Sequence, residues 1–515
     1  MRPAVQATRP SSTMPSPGPS MVASLAWRQR RSQRIDTPTS DARAALAAAT
    51  IMSRHMTAVP RTCPVDSCLH FKAALLPDGW ARDVRVTIAS GRIAAVARDV
   101  PARTGDAHRG IGLAGMPNLH SHAFQRGMAG LAETRGEGPD SFWTWRETMY
   151  RFVTALTSDD LEAIAAQAFV EMLERGFTRV GEFHYLHHDK DGRAYDDPAE
   201  MAARIAAAAQ ATGIGLTLLP VFYARGGFGG AALQPKQARF ANTLETYARL
   251  IEASRKAVAG LDDAIVGIAP HSLRATTRDE LTALPPLAGG GPIHIHIAEQ
   301  EREVEDCVAW SGARPVAWLL DHAPVDRRWC LVHATHMNPN ETARLAASGA
   351  VAGLCPITEA NLGDGLFAMP AYLAAGGLFG VGSDSNVRID MAEELRLLEY
   401  GQRLRDRARN VVASPAMPSV GRSLFEGALR GGAQALGVSA GLVVGASADI
   451  LALDADHPAF AGREGDALLD GLIFANGAIA DVWRAGVPVV TGGRHKARDA
   501  VAARFRATVE RVLSR

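Results

Sequence analysis

At 515 residues, with 47% apolar and 21% charged side chains, the chain has the length for one large domain with a smaller companion and an ordinary globular composition. A formal net charge of +1 implies no general attraction to nucleic acid or to a membrane surface, and no apolar stretch reaches the roughly 18 residues a membrane span needs. The five cysteines, Cys63, Cys68, Cys307, Cys330 and Cys355, are scattered without CxxC spacing, which argues against a disulfide framework and for a reducing, cytoplasmic setting.

The first segment, "MRPAVQATRPSSTMPSPGPS" onward, is rich in Pro, Ser and Arg and has no apolar period. Residues 1–64 carry nine Arg against Asp36 and Asp41, so the basic character sits in this tail and the body is mildly acidic. The composition predicts a disordered or dispensable extension. Met52 and Met56 offer a later start, and an Arg- and Ser-rich organelle address is the weaker reading. "RQRR" at 28–31 is too short and isolated to argue for nucleic-acid binding.

From His70, "HFKAALLPDGWARDVRVTIASGRIAAVA" shows short β-type runs separated by Asp-Gly and Ser-Gly turn signals. Similar runs return in "GASADILALD" and "IADVWRAGVPVVTGG", which predicts one small β domain assembled from residues 65–114 and 441–495, with a helix over 496–515. Between them, residues 115–440 alternate helices with short apolar runs. "SDDLEAIAAQAFVEMLERG" reads as a helix with Ser158 as its N-cap and Gly176 just past its end. Eight runs recur: "GIGLAGMPNLH", "TRVGEFHY", "IGLTLLPVFY", "AIVGIAPH", "PIHIHIAE", "CLVHATH", "AVAGLCP" and "GLFGVGSD". Eight strand–helix units predict a (β/α)8 barrel of the TIM type, in which the strand ends open onto the active-site face.

Several of those strand ends close on metal-type residues. The first ends in His120-Ser121-His122, and residues i and i+2 of a strand point to the same side. The fifth contains His294 and His296, with Glu299 three residues on; the sixth ends in His333, followed by His336; the eighth ends in "GVGSDSN" with Asp384. Singly, a histidine near a strand end is more often a hydrogen-bonding residue of the core than a ligand, and an Asp before Ser-Asn is usually a turn. The ordered set HxH, HxxE, His and SD at successive strand ends points to a metal site.

These ordered motifs resemble those of the amidohydrolase superfamily, and in particular its mononuclear metal deaminases. The resemblance implies the barrel together with a β-sandwich domain built from both ends of the chain. Only Lys72, Lys190, Lys236, Lys256 and Lys496 occur, and none stands at a mid-barrel strand end where a metal-bridging lysine would be needed, so one metal per subunit is expected. "PNLHSHAFQRGMAG", "FWTWRETMY", "EFHYLHHDKDG", "APHSLRA", "HIHIAEQ" and "GSDSN" are together similar to the formimidoylglutamate deiminases, over about residues 69–512. That likeness implies hydrolysis of N-formimidoyl-L-glutamate to N-formyl-L-glutamate and ammonia in histidine degradation.

The resemblance implies His120, His122, His296 and Asp384 as metal ligands. Nitrogen and oxygen donors of this kind suit Zn²⁺, with Fe²⁺ or Mn²⁺ as alternatives. It makes Glu299 the proton shuttle and His333 the imidazole that orients or deprotonates water, with Asp384 sharing that task. It matches Arg146 and Arg274 to carboxylate binding and Gln125, Tyr185 and His271 to the remaining polar pocket. The expected partner is a small dicarboxylate, with neither nucleic acid nor membrane, and a homodimer is implied. His294, which alternates to the other face from His296, and His184, His187 and His188 in "HYLHHDKDG" read as structural. The Gly-rich "RGGFGGA" at 225–231 lacks the GxGxxG pattern and reads as a loop near the barrel mouth. Two other functions stay open: a deaminase of an aromatic heterocycle such as guanine or a triazine, and a non-catalytic scaffold of the same fold.

Overall fold

The computed structural model describes residues 67–514 apart from 139; the 1–64 extension, with Cys63 and both candidate start methionines, lies outside them. Four strands open the described chain: β1 (Ser67–Leu76), β2 (Gly79–Ala89), β3 (Arg92–Ala97) and β4 (Ala107–Ala114). The β2–β3 hairpin turns on Ser90 and Gly91, with φ of +50° and +76°, the pair of positive values that a tight two-residue hairpin requires. Along β2, Val84, Val86 and Ile88 are fully buried while Arg85 and Thr87 are not, the period-2 pattern of a sheet with one covered face.

A run of parallel strands follows: β5 (Met116–Ser121), β6 (Phe177–His184), β7 (Gly215–Phe222), β8 (Ile265–Val266), β9 (Ala269–Pro270), β10 (Ile293–Ile297), β11 (Trp329–His333), β12 (Val351–Leu354) and β13 (Leu378–Val381). They pair in the orders β5-β6-β7-β8 and β10-β11-β12-β13, with β9 on β7. Single parallel bridges continue the path, Ile268 to Ile293, Ser272 to His296, and Ser121 to Asp384. β6 and β7 are buried at every position, as parallel strands covered on both faces must be. The fourth of the eight expected runs is split into β8 and β9 around Gly267, where an added Cβ would stand 2.5 Å from the Pro292 carbonyl oxygen. Only glycine permits that approach.

The last strands, β14 (Ile450–Leu453), β15 (Ile479–Arg484), β16 (Val487–Thr491) and β17 (Arg494–His495), return to the first four. β14 pairs antiparallel with β4, Ile450 opposite Ala114, giving one eight-stranded sheet ordered β17-β16-β15-β14-β4-β1-β2-β3. Its covered face gathers Leu69, Phe71, Val84, Val86, Ile88, Ile450 and Trp483. A helix over Arg498–Leu513 closes the chain.

Helices connect the parallel strands. The helix Ser158–Glu174 buries Leu161, Ile164, Ala165, Ala168, Phe169, Met172 and Leu173, the stripe that its 3.6-residue period predicts. Its N-cap is Thr157, not Ser158: the Thr157 hydroxyl accepts from the Asp160 amide at 3.2 Å, and the Asp160 carboxylate accepts from the Thr157 amide at 3.0 Å. Ser158 is followed at the third position by Leu161, which cannot return the bond, so the reciprocal capping box forms one residue earlier.

Beneath the strands, charges are paired. Arg179 of β6 donates to Asp263 at 2.5 Å, Arg484 of β15 closes on the same carboxylate, and Arg484 reaches Asp449 at 3.2 Å. This cluster ties the starting ends of the parallel strands to the eight-stranded sheet.

Candidate active site

The finishing ends of the parallel strands converge. β5 delivers His120 and, just beyond it, His122; β10 delivers His296; the turn after β13 delivers Asp384. Backbone hydrogen bonds lock the first and last of these together, from the His122 amide to the Asp384 carbonyl at 2.9 Å and from the Asp384 amide to the His120 carbonyl at 3.0 Å. Buried side chains repeat the stitch. Asn118 and Ser383 exchange hydrogen bonds at 2.7 and 3.0 Å, Ser383 donates to Asn386, and Asn386 donates to Ser121 and to the His122 carbonyl. Asp384 and His333 both have positive φ, +43° and +67°. Non-glycine residues hold that region at a cost of about 1–3 kcal/mol each, offset here by the surrounding hydrogen bonds.

One donor atom from each of His120, His122, His296 and Asp384 lies within 4.8 Å of all the others. Nδ1 of His122 donates to the Phe183 carbonyl at 2.9 Å and Nδ1 of His296 to the His271 carbonyl at 3.1 Å. Both rings are thereby fixed with an Nε2 lone pair aimed inward, the outer-shell arrangement of metal-binding histidines. Nε2 of His296 stands 3.0 Å from Nε2 of His120, and Asp384 Oδ1 lies 3.4 and 3.3 Å from Nε2 of His120 and His122. Burial drives His120 down to about 3 and lowers His122 and His296 as well, so these nitrogens present lone pairs at neutral pH. Burial works to raise Asp384, but the three surrounding imidazoles His120, His122 and His333 hold it below the usual carboxylate range. Converging lone pairs beside a buried carboxylate fit a divalent cation.

His333 ends β11 with Nε2 3.7 Å from Asp384 Oδ2 and 3.8 Å from Glu299 Oε1. Its other nitrogen donates to Glu359 at 3.2 Å. Burial opposes its charged form, yet Glu299, Glu359 and Asp384 together raise its pKa to about 10. Glu299 follows β10 and is pushed up to about 7, chiefly by burial. A carboxyl poised there can both hold and release a proton at neutral pH.

The pocket above this centre is walled by Phe142, Trp145, Met149, Tyr150, Tyr223 and Phe240. Every residue matched to substrate binding reaches it: Gln125, Arg146, Tyr185, His271 and Arg274. Gln125 donates to the Tyr185 hydroxyl at 2.9 Å. Arg146, on the helix Phe142–Ala155, stacks 4.5 Å above the Trp143 ring, and its buried Nε has no hydrogen-bond partner. Arg274 stands 4.0 Å from both Glu299 and Glu303, and its Nε is likewise unpartnered. Two guanidinium groups with free donors beside apolar walls can take up carboxylates.

His294 turns away from the centre and meets the Ala435 carbonyl at 2.7 Å. His187 and His188 bond the carbonyls of Val221 and Ala241. The sequence alone does not single out Glu359, which bonds His333, or Glu303, which faces Arg274. Their signal was position alone, just after β12 or within one helical turn of Glu299.

Residues 111–492 match the family model "Amidohydrolase family". The chain belongs to the amidohydrolase family. Members are metal-dependent, and the His/Asp cluster described above is the corresponding feature of this chain. Residues 66–110 match the model "Formimidoylglutamate deiminase HutF, N-terminal domain". A formimidoylglutamate deiminase from Pseudomonas aeruginosa is 53% identical, over 85% of this chain and 98% of that protein. An 8-oxoguanine deaminase from the same species is 28% identical over 69% of this chain and 77% of its own length. Among solved structures, an amidohydrolase from Brucella melitensis superposes with a TM-score of 0.85 at 55% identity, covering 87% of this chain and all of its own. An adenosine deaminase from Xanthomonas campestris with bound zinc shares the fold at a TM-score of 0.72 and 21% identity, over 88% of this chain and 99% of its own. No helix among the described residues is long and apolar enough to cross a membrane.

Proposed function

We infer that this chain is a hydrolase of the linear amidine in N-formimidoyl-L-glutamate, releasing ammonia and N-formyl-L-glutamate in L-histidine degradation. The observation that carries the reading is 53% identity over almost the whole of a formimidoylglutamate deiminase. The two guanidinium groups lining the pocket over the centre, each with a buried Nε that makes no hydrogen bond, support it independently, since they suit a substrate with two carboxylates.

His120, His122, His296 and Asp384 would hold one divalent ion, Zn²⁺ in preference to Fe²⁺ or Mn²⁺. Such an ion would lower the pKa of a water there to about 7. Asp384 takes the proton from the attacking water, and His333, kept protonated by Glu299, Glu359 and Asp384 and held by Glu359, orients that water. Glu299 gives a proton to the substrate nitrogen, so that ammonia rather than hydroxide departs from the tetrahedral adduct. Arg146 and Arg274 grip the two carboxylates, with Gln125, Tyr185 and His271 positioning the formimino group between them and the metal. Trp145 and Tyr150 exclude water from the flank.

We further read the parallel strands and their bridging pairs as a closed (β/α)8 barrel over 115–440. Residues 65–114 and 441–495 then make a sheet folded over its apolar face as a β-sandwich, with a terminal helix over 496–515. A cytoplasmic homodimer is the proposed setting. A heterocycle deaminase is disfavoured because neither arginine has a role there, and a non-catalytic scaffold because all four ligands are retained. Metal-loaded protein offered formimidoylglutamate, guanine or buffer should release ammonia from formimidoylglutamate alone. Release from guanine alone would sink the reading, and release from neither would favour the scaffold.

A further inference from the structure

The two guanidinium groups of the pocket are held in different ways. Arg274 lies near carboxylates, 4.0 Å from both Glu299 and Glu303. Arg146 lies among rings: its guanidinium carbon is 4.5 Å from the ring centre of Trp143, 5.7 Å from that of Tyr150 and 6.0 Å from that of Phe142. The acid beside it in the chain, Glu147, is taken by Lys236 at 2.6 Å, and the buried Nε of Arg146 makes no hydrogen bond. Side chains three apart on a helix are neighbours, and each leans toward the N-terminal end. On the helix Phe142–Ala155, Arg146 therefore folds back over Trp143. Phe142 and Tyr150 also wall the pocket, whereas Trp143 does not, so Trp143 acts on a bound molecule through Arg146.

The same indole meets a second cation. Arg302 places its guanidinium carbon 5.0 Å from the Trp143 ring centre. It stands in the first turn of the helix Glu301–Ser311, three residues past Glu299, and its ion pair with Asp306 is long, 3.7 Å. A guanidinium is drawn to the negative face of an indole, and here two that would repel each other are drawn to one ring. Trp143 thus ties the wall that carries Arg146 to the segment that carries Glu299.

We propose that Trp143 and Arg302 are positioning residues for substrate binding: the indole, steadied by Arg302, fixes Arg146 over the centre before a substrate carboxylate arrives. The inference rests on the proposed role of Arg146 as a carboxylate anchor. An arginine side chain loses much rotamer freedom when it is immobilised, and a ring that orders it beforehand lowers the cost of binding. The arriving carboxylate then meets the Nε donor that the rings leave unused.

The test is a set of double-mutant cycles on metal-loaded protein, read in KM and kcat for formimidoylglutamate and in the Kd of glutarate, a dicarboxylate without the amidine, by calorimetry. Trp143→Leu should raise KM and the glutarate Kd about five- to thirtyfold, the span of a partly to fully desolvated cation–ring contact. Trp143→Phe, which keeps a weaker face, should recover part of that loss. Arg302→Gln, at a side chain 66% exposed, should cost about two- to fivefold and carries the test if Trp143→Leu does not fold. None should change kcat or metal content. In an Arg146→Met background none should have a further effect, because coupled residues are not additive. Unchanged KM and Kd, a fall in kcat or metal content, or equal losses with and without Arg146 would each overturn the proposal. A protein that shows the coupling in glutarate binding but releases no ammonia from formimidoylglutamate sinks the proposed function and leaves the positioning role standing.

Discussion

At the starting ends of the parallel strands, Arg179 and Arg484 close on Asp263, and Arg484 also on Asp449. At the finishing ends, imidazole nitrogens face one another at 3.0 Å and two guanidinium groups keep buried Nε atoms without partners. Both clusters are polar and largely buried, and Arg484 Nε too makes no hydrogen bond, but the first matches its cations to carboxylates, whereas the second turns imidazole nitrogens on one another beside Asp384, a set that a cation completes. Burial of charge is therefore no sign of function by itself. Several lone pairs converging on one point are the better sign.

The largest effect should come from removing the proton donor. Glu299→Gln keeps the shape of the site and no metal ligand is touched. Turnover of formimidoylglutamate should fall about 10²–10⁴-fold while metal content, measured by elemental analysis, stays at the native level. Loss of metal in this variant would mean that Glu299 has been given the wrong role. Next come the arginines. Arg146→Met and Arg274→Met each remove charge-assisted hydrogen bonds worth about 1.5–3 kcal/mol, and KM should rise with little change in metal content. Arg274→Met carries a second consequence, because Glu299 and Glu303 lose the cation between them. It should therefore lower kcat as well, whereas Arg146→Met should act on KM alone.

The other end should respond in the opposite way. Asp263→Asn leaves two arginines facing one another and should cost about 1–3 kcal/mol of stability, a range set below that of a fully buried pair because the Asp263 side chain is one-third exposed. Metal content and kcat should not change. Burial raises the Asp263 pKa, but Arg484 and Arg179 overcome this and hold it below its ordinary value. A carboxylate with a lowered folded-state pKa stabilises above its unfolded value of about 3.9, and the stabilisation is lost as pH falls through the folded value. The gap between native and Asp263→Asn proteins in urea unfolding should thus be full at pH 7 and narrow below about pH 4. A gap that widened on acidification would contradict the pairing.

The finishing ends were legible because their chemistry follows short periods. His120 and His122 share a face at i and i+2, His294 and His296 split by function along the same alternation, and Asp384 follows an apolar run and a glycine. What was not legible depends on distances between strands far apart in the chain. Nothing in "CPITEANLGDG" says that Glu359 meets His333 across 26 residues. The paired cluster was equally hidden, since Asp263 and Arg484 are 221 residues apart. The division of the fourth run into β8 and β9 turns on the Pro292 carbonyl pressing against Gly267, a contact between neighbours in space.

The smallest effect separates stability from chemistry on the finishing side of the fold. Thr157 and Ser158 are adjacent hydroxyl residues, and only Thr157 has an acid three positions on. The sequence thus held the capping signal, and reading the first hydroxyl of the helical run overlooked it. Thr157→Ala should cost about 0.5–2 kcal/mol and Ser158→Ala close to nothing, both measured by urea unfolding. Thr157 follows directly on the helix that carries Arg146, with Leu156 between them. If the comparison of the two strand ends is right, a loss of this size on the site's own side leaves kcat, KM and metal content untouched. A rise in KM in Thr157→Ala would instead mean that the cap helps to hold Arg146 over the centre, and that stability and substrate binding are not separable at this end.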